Sequence, residues 1–155
     1  MTTPCILLVD DQRDIVRLLH STLQTLGHTL DIVDAPSGEE ALLEASRRKV
    51  DLLVADYLLP GISGVELMRK VKARNPDMRV IFISGMTERK ARDEMLNAGA
   101  LAIFDKPIPL ADFLDAVERG LGLVRTIFPM ETAKETEGHR QSLSDLLGGF
   151  RQKIK

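Results

Sequence analysis

Short apolar runs at residues 5–10, 29–34, 51–56, 79–84 and 101–104 alternate with longer stretches whose apolar residues recur every three or four positions. The short runs predict strands. The stretches between them predict helices: Ile15, Leu18, Leu19, Leu23 and Leu26 mark the first, Ala41, Leu42 and Ala45 the second, and Val65, Leu67, Met68 and Val71 the third. A fourth helix is expected from Thr87 to Ala98. A fifth is expected from Pro109 to Leu121, with Phe113, Leu114, Val117 and Leu121 facing inward. Pro109 suits the first turn of that helix, where a missing N–H costs nothing. Gly27, Gly38, Gly61, Gly99 and Gly120 punctuate the elements. Five repeats of strand then helix favour a parallel sheet covered on both faces, an α/β architecture.

The strand ends carry the chemistry. Two aspartates close the first run (Ile6-Leu7-Leu8-Val9-Asp10-Asp11) and a third, Asp56, closes Leu52-Leu53-Val54-Ala55. Parallel strands deliver these carboxylates to one sheet edge, where each pair repels by roughly 3 kcal/mol at ~5 Å and an effective dielectric of about 20. A fold retains such a cluster when something positive neutralises it, and a hard divalent cation with oxygen ligands does so. Two more strand ends are polar: Val80-Ile81-Phe82-Ile83-Ser84 and Ile103-Phe104-Asp105-Lys106-Pro107. Acids, a hydroxyl and a lysine at successive strand ends make a phosphoryl-handling site. In isolation each piece has a plain alternative: a turn cap for Asp56, a helix cap for Asp11 with Asp14, a loop serine, a surface lysine.

Together these residues resemble the receiver domain of two-component response regulators. The resemblance rests on Asp10-Asp11, Asp56 followed by Leu59-Pro60-Gly61 and Gly64, Ser84-Gly85, Lys106-Pro107 and Asn97-Ala98-Gly99-Ala100, in one register over residues 4–123. It implies that Asp56 accepts a phosphoryl group from a sensor histidine kinase or phosphotransfer protein, with Mg2+. It further implies that Asp11 binds the metal directly and Asp10 through water, with Asp56 and the backbone carbonyl of Leu58 as further ligands. Ser84 and Lys106 would then recognise the phosphoryl oxygens, the Lys106-Pro107 peptide would be cis, and output would pass through the face of helix 4, strand 5 and helix 5. Two departures stand out. The aromatic residue that receivers commonly carry three positions before the lysine is Ile103 here, and strand alternation turns Phe104 to the opposite face. Leu58 and Met86, which flank the site, are apolar and position no attacking water, so loss of phosphate is expected to be slow.

Right-handed crossovers leave few topologies for five such repeats. The expected fold is the doubly wound, flavodoxin-like five-stranded parallel sheet of order 2-1-3-4-5, whose switch point lies between strands 1 and 3. Asp10, Asp11 and Asp56 close those two strands. A Mg2+-dependent phosphohydrolase of related topology is the rival, but it needs a second carboxylate two residues after its nucleophile, where this chain has Leu58. A flavin module would need a phosphate-cradling loop, and no Gly-rich nucleotide loop follows any run.

Composition bounds the rest. A chain of 155 residues, 44% hydrophobic and 28% charged, holds one well-buried domain plus an extension. Its formal net charge of −2 gives it no general electrostatic footprint for nucleic acid, so no direct contact with nucleic acid is expected. The one cysteine, Cys5, starts an apolar run and reads as a buried hydrophobe, which fits a reducing compartment. No run is long enough for a membrane span, and a bacterial cytoplasmic location is expected. His20, His28 and His139 do not cluster with other ligand types, and the first two read as surface side chains. The receiver region is assigned to residues 4–123. Residues 124–155 are expected to be a polar linker, densest at 129–141, and a short amphipathic segment through Leu143, Leu146, Leu147, Phe150 and Ile154 that leaves room for a homodimer.

Overall fold

The computed structural model describes residues 2–85 and 88–123. Met86, Thr87 (the expected start of the fourth helix), His139, the linker and the amphipathic tail lie outside the described residues. Among the described residues five strands and five helices alternate: β1 (Cys5–Val9), α1 (Arg13–Gln24), β2 (Asp31–Ala35), α2 (Gly38–Arg47), β3 (Leu52–Asp56), α3 (Gly64–Arg74), β4 (Arg79–Ser84), α4 (Arg89–Asn97), β5 (Ala102–Asp105) and α5 (Leu110–Leu121). The strands form one parallel sheet in the order β2-β1-β3-β4-β5, as expected.

Alternation within the central strands divides the core into two layers. Leu7, Val9, Leu53, Ala55, Val80 and Phe82 pack toward α2, α3 and α4. Ile6, Leu8, Leu52, Val54, Ile81 and Ile83 pack toward α1 and α5. Both faces of the sheet are therefore apolar, which is why the runs read as continuous rather than alternating. Each fully buried Leu, Ile or Phe contributes roughly 1.5–3 kcal/mol of transfer free energy, so the site at the strand ends rests on a stiff base. Cys5, at the opposite end of β1 from the acids, is buried as well, and its desolvation, with Asp31 adding to it, pushes the thiol up to about 11.

Several boundaries differ from the sequence reading, each for a local reason. β2 runs 31–35 rather than 29–34 because the Asp31 N–H donates to the Pro4 carbonyl and its register follows β1, Cys5 facing Asp31 and Val9 facing Ala35. Pro109 is the residue before α5 rather than its first turn, with extended backbone (φ −75°, ψ 99°). Gly120 lies inside α5, where a Cβ would stand 2.9 Å from Leu101 Cδ2, and Gly122, at φ +66°, ends the helix instead. On α1, Val16, Leu19 and Leu23 form the buried stripe, while Leu18 is 41% exposed. His20 and His28 are half-buried rather than superficial, and line a cavity of about 460 Å³ beside the start of β2, away from the strand ends that carry the acids.

Candidate functional site

Parallel strands bring the predicted residues to one edge. Asp10 and Asp11 follow β1, Asp56 and Ser84 close β3 and β4, and Lys106 follows β5. Asp10, Asp11 and Asp56 each offer a carboxylate oxygen, all within 4.8 Å of one another. Asp10 and Asp56 are buried and Asp11 is exposed. Residue 12 precedes α1 and no side chain caps that helix, so the capping role open to Asp11 from its position is not what holds α1.

Hydrogen bonds fix the two buried carboxylates. Asp10 Oδ1 accepts from the Gln12 N–H at 2.8 Å, and Asp56 Oδ1 accepts from the Leu58 N–H at 3.1 Å. The second oxygens converge on one ammonium: Lys106 Nζ lies 2.9 Å from Asp56 Oδ2 and 3.1 Å from Asp10 Oδ2. Nζ also donates to Gln12 Oε1 at 2.8 Å, so its three protons have three acceptors. Burial pushes the Asp10 carboxyl above the usual range, against the opposing pull of the Gln12 N–H and Lys106. For Lys106, burial pulls the ammonium down, yet the hydrogen bonds and charges of Asp56 and Asp10 outweigh it and hold it above its ordinary value.

The loop after β3 is drawn tightly over the site. The Gly64 N–H donates to the Tyr57 carbonyl at 2.8 Å, and a Cβ on Gly64 would run into the Asp56 carbonyl oxygen. Leu58 on that loop keeps an exposed side chain, so no acid stands two residues beyond Asp56. Ser84 is fully buried at its strand end, and the Lys106 N–H donates to its carbonyl at 3.0 Å. A Cβ on Gly85 would meet nothing, leaving open space beside Ser84. The Lys106-Pro107 peptide is cis, as the resemblance implied. Ile103 packs toward α4 and Phe104 toward α5, where it meets Phe113 edge-on at 6.2 Å, so the expected alternation holds.

Two participants were not singled out from the sequence. Gln12 is the third acceptor of Lys106; only its place directly after the acid pair hints at this. Tyr57 donates through Oη to Glu94 Oε1 at 2.6 Å, and this hydrogen bond, with burial adding to it, pushes the phenol up. Nothing in local spacing announces a contact across 37 residues.

The donor set fits a magnesium ion. Oxygens at about 2.0–2.1 Å from Mg2+ stand up to about 4.2 Å apart across an octahedron, close to the spread of these three carboxylates. Three carboxylates against one ammonium also leave a formal local charge of −2 for a divalent cation to balance.

Residues 6–118 match the response regulator receiver domain family, and the chain belongs to it. It is thus a phosphoacceptor module of two-component signalling, a family whose members bind Mg2+ in an acidic pocket. Among relatives, it is 40% identical over 117 residues to the transcriptional activator protein ExaE of Pseudomonas putida, matching 75% of this chain and 54% of that protein. It is 32% identical over 118 residues to sporulation initiation phosphotransferase F of Bacillus subtilis, 76% of this chain and 94% of that one. Thus the chain spans about half the length of the first relative and nearly all of the second. A CheY-like receiver domain protein from Methanospirillum hungatei superposes with a TM-score of 0.71 at 28% identity, covering 78% of this chain and 95% of that structure. No helix among the described residues is long and apolar enough to cross a membrane.

Proposed function

We propose that Asp56 is the phosphoacceptor and that a sensor histidine kinase or phosphotransfer protein is the donor. A carboxylate oxygen of Asp56 attacks the phosphorus of a phosphohistidine, the P–N bond breaks, and the imidazole, protonated on its other ring nitrogen, leaves as the neutral ring while the acyl phosphate forms. The observation that carries this reading is the seat of Asp56: buried at a strand end, oriented by the Leu58 N–H, and already paired with Lys106. Phosphoryl transfer asks a protein mainly for positioning and charge neutralisation, and this arrangement offers both.

Asp11 and Asp56 would hold Mg2+ directly, with Asp10 through water and the Leu58 carbonyl as a further ligand, and the ion would neutralise phosphoryl charge. Lys106 exchanges its contact with Asp56 Oδ2 for a phosphoryl oxygen, and the Ser84 hydroxyl donates to another. Their movement shifts the population of loop states and alters the face formed by α4, β5 and α5, where a downstream protein or a second copy of the chain docks. The apolar, exposed Leu58 orients no water, so the acyl phosphate should decay slowly; the same side chain argues against a turning-over phosphohydrolase, which needs an acid there.

Incubating the protein with acetyl phosphate and Mg2+ tests this. One phosphoryl group per chain supports the receiver reading. Many turnovers would support the hydrolase, and no labelling would overturn both.

A further inference from the structure

Tyr57 links the end of β3 to α4. Its N–H donates to the Ile83 carbonyl at 3.1 Å and its carbonyl accepts from the Gly64 N–H, so its backbone is pinned between β4 and the start of α3. From that position the ring packs against the core layer beneath α4, and Oη donates to the Glu94 carboxylate at 2.6 Å. A hydroxyl-to-carboxylate bond of that length is charge-assisted and tolerates little displacement.

The helix it reaches is lightly held. α4 has nine residues, buries only Ala91 and Met95, and has no side-chain cap at Glu88. α5, by contrast, buries Phe113, Ala116, Val117 and Glu118 over twelve residues. Side-chain tethers reach α4 from outside: a solvent-exposed ion pair of Arg92 with Asp105 at 3.7 Å, and the shorter, half-buried bond from Tyr57, which with so few buried contacts is the stronger restraint.

We propose that the Tyr57–Glu94 hydrogen bond is a latch that holds α4 in the unphosphorylated protein and is released when Asp56 is phosphorylated. This rests on the reading of Asp56 as acceptor. The route is short. Ser84 and Lys106 are drawn to the phosphoryl group, and the Lys106 N–H is bonded to the Ser84 carbonyl, so the end of β4 moves with them. The carbonyl of Ile83, the residue before Ser84 in that strand, accepts from the Tyr57 N–H. A shift there carries the tyrosine backbone with it and draws Oη from Glu94. By linkage, a partner that prefers the unlatched α4 would also favour phosphorylation of Asp56.

Hydrogen exchange on the full chain tests the latch, with α5 as internal reference. In the unphosphorylated protein, Tyr57→Phe removes only the hydroxyl and should speed exchange of the α4 amides about five- to tenfold while leaving α5 unchanged. Glu94→Gln should give a smaller change in the same direction. Phosphorylation with acetyl phosphate and Mg2+ should speed α4 exchange in the wild type and add nothing in Tyr57→Phe. The chain has one tyrosine and no tryptophan, so its emission reports Tyr57 alone and should rise on phosphorylation as the quenching carboxylate is lost. Unchanged α4 exchange in unphosphorylated Tyr57→Phe would overturn the latch. So would an equal phosphorylation response in wild type and mutant, or slower α4 exchange on phosphorylation. If the wild type takes up no phosphate, the acceptor reading fails while the first comparison still decides whether Tyr57 restrains α4.

Discussion

Lys106 Nζ lies 2.9 Å from Asp56 Oδ2, fifty residues away along the chain, and the same ammonium reaches Asp10 at 3.1 Å. One lysine thus serves two buried carboxylates that would otherwise face each other unneutralised. In the metal-free protein its charge does part of what a divalent cation would do. That sharing makes the stability of the strand ends depend on which positive charge is present.

Lys106→Met should therefore destabilise the metal-free protein by about 1–3 kcal/mol, less than for a fully buried pair because the lysine side chain is 18% exposed. Mg2+ should restore much of the loss, so the rise in thermal midpoint between chelator and saturating Mg2+ is expected to be larger in the mutant than in the wild type. Thermal unfolding in both conditions measures it. The mutant should still accept some phosphate from acetyl phosphate but lose the phosphorylation-dependent gain in partner binding.

Asp10→Asn should stabilise the metal-free protein at neutral pH. Burial raises the Asp10 pKa, so the folded state holds this proton more tightly than the unfolded state does. The contribution of Asp10 is most favourable at low pH and is lost as pH rises from the unfolded value, near 4, through the raised folded value. An amide carries no such cost. The mutant's advantage in chelator should be present at pH 7 and shrink below about pH 4. Denaturant midpoints across that range give the slope directly.

Gly64→Ala should cost about 1–3 kcal/mol, since the added Cβ meets the backbone carbonyl of Asp56 rather than a movable side chain. Because the displaced atom belongs to the proposed acceptor, the rate of phosphorylation should fall as well. Gly85→Ala, whose Cβ meets nothing, is the matched control and should change stability little. Equal effects of the two substitutions would contradict the assigned role of Gly64.

The strands were legible because a sheet buried on both faces demands unbroken apolar runs, and Val80-Ile81-Phe82-Ile83 has no other home in a chain of this size. The site was legible because three acids ending two such runs must meet once the strands are parallel. Local propensity could not place β2, whose start follows its register with β1; the end of α5 at Leu121 was legible, although Gly120, one of the glycines read as punctuation, lies inside that helix. Side-chain reach was hidden as well. The contacts of Lys106 with Gln12, and of Tyr57 with Glu94, join residues 94 and 37 positions apart, and no periodicity encodes them.

Asp56 is the proposed phosphoacceptor. Intact mass and peptide mapping of the wild type and Asp56→Asn, after incubation with acetyl phosphate and Mg2+, test it most directly. The wild type is expected to carry one hydroxylamine-labile phosphoryl group on Asp56, absent in chelator, and the mutant none, because its amide is a poor nucleophile. A stable, magnesium-dependent phosphate on any other residue, or equal labelling of Asp56→Asn, would contradict it.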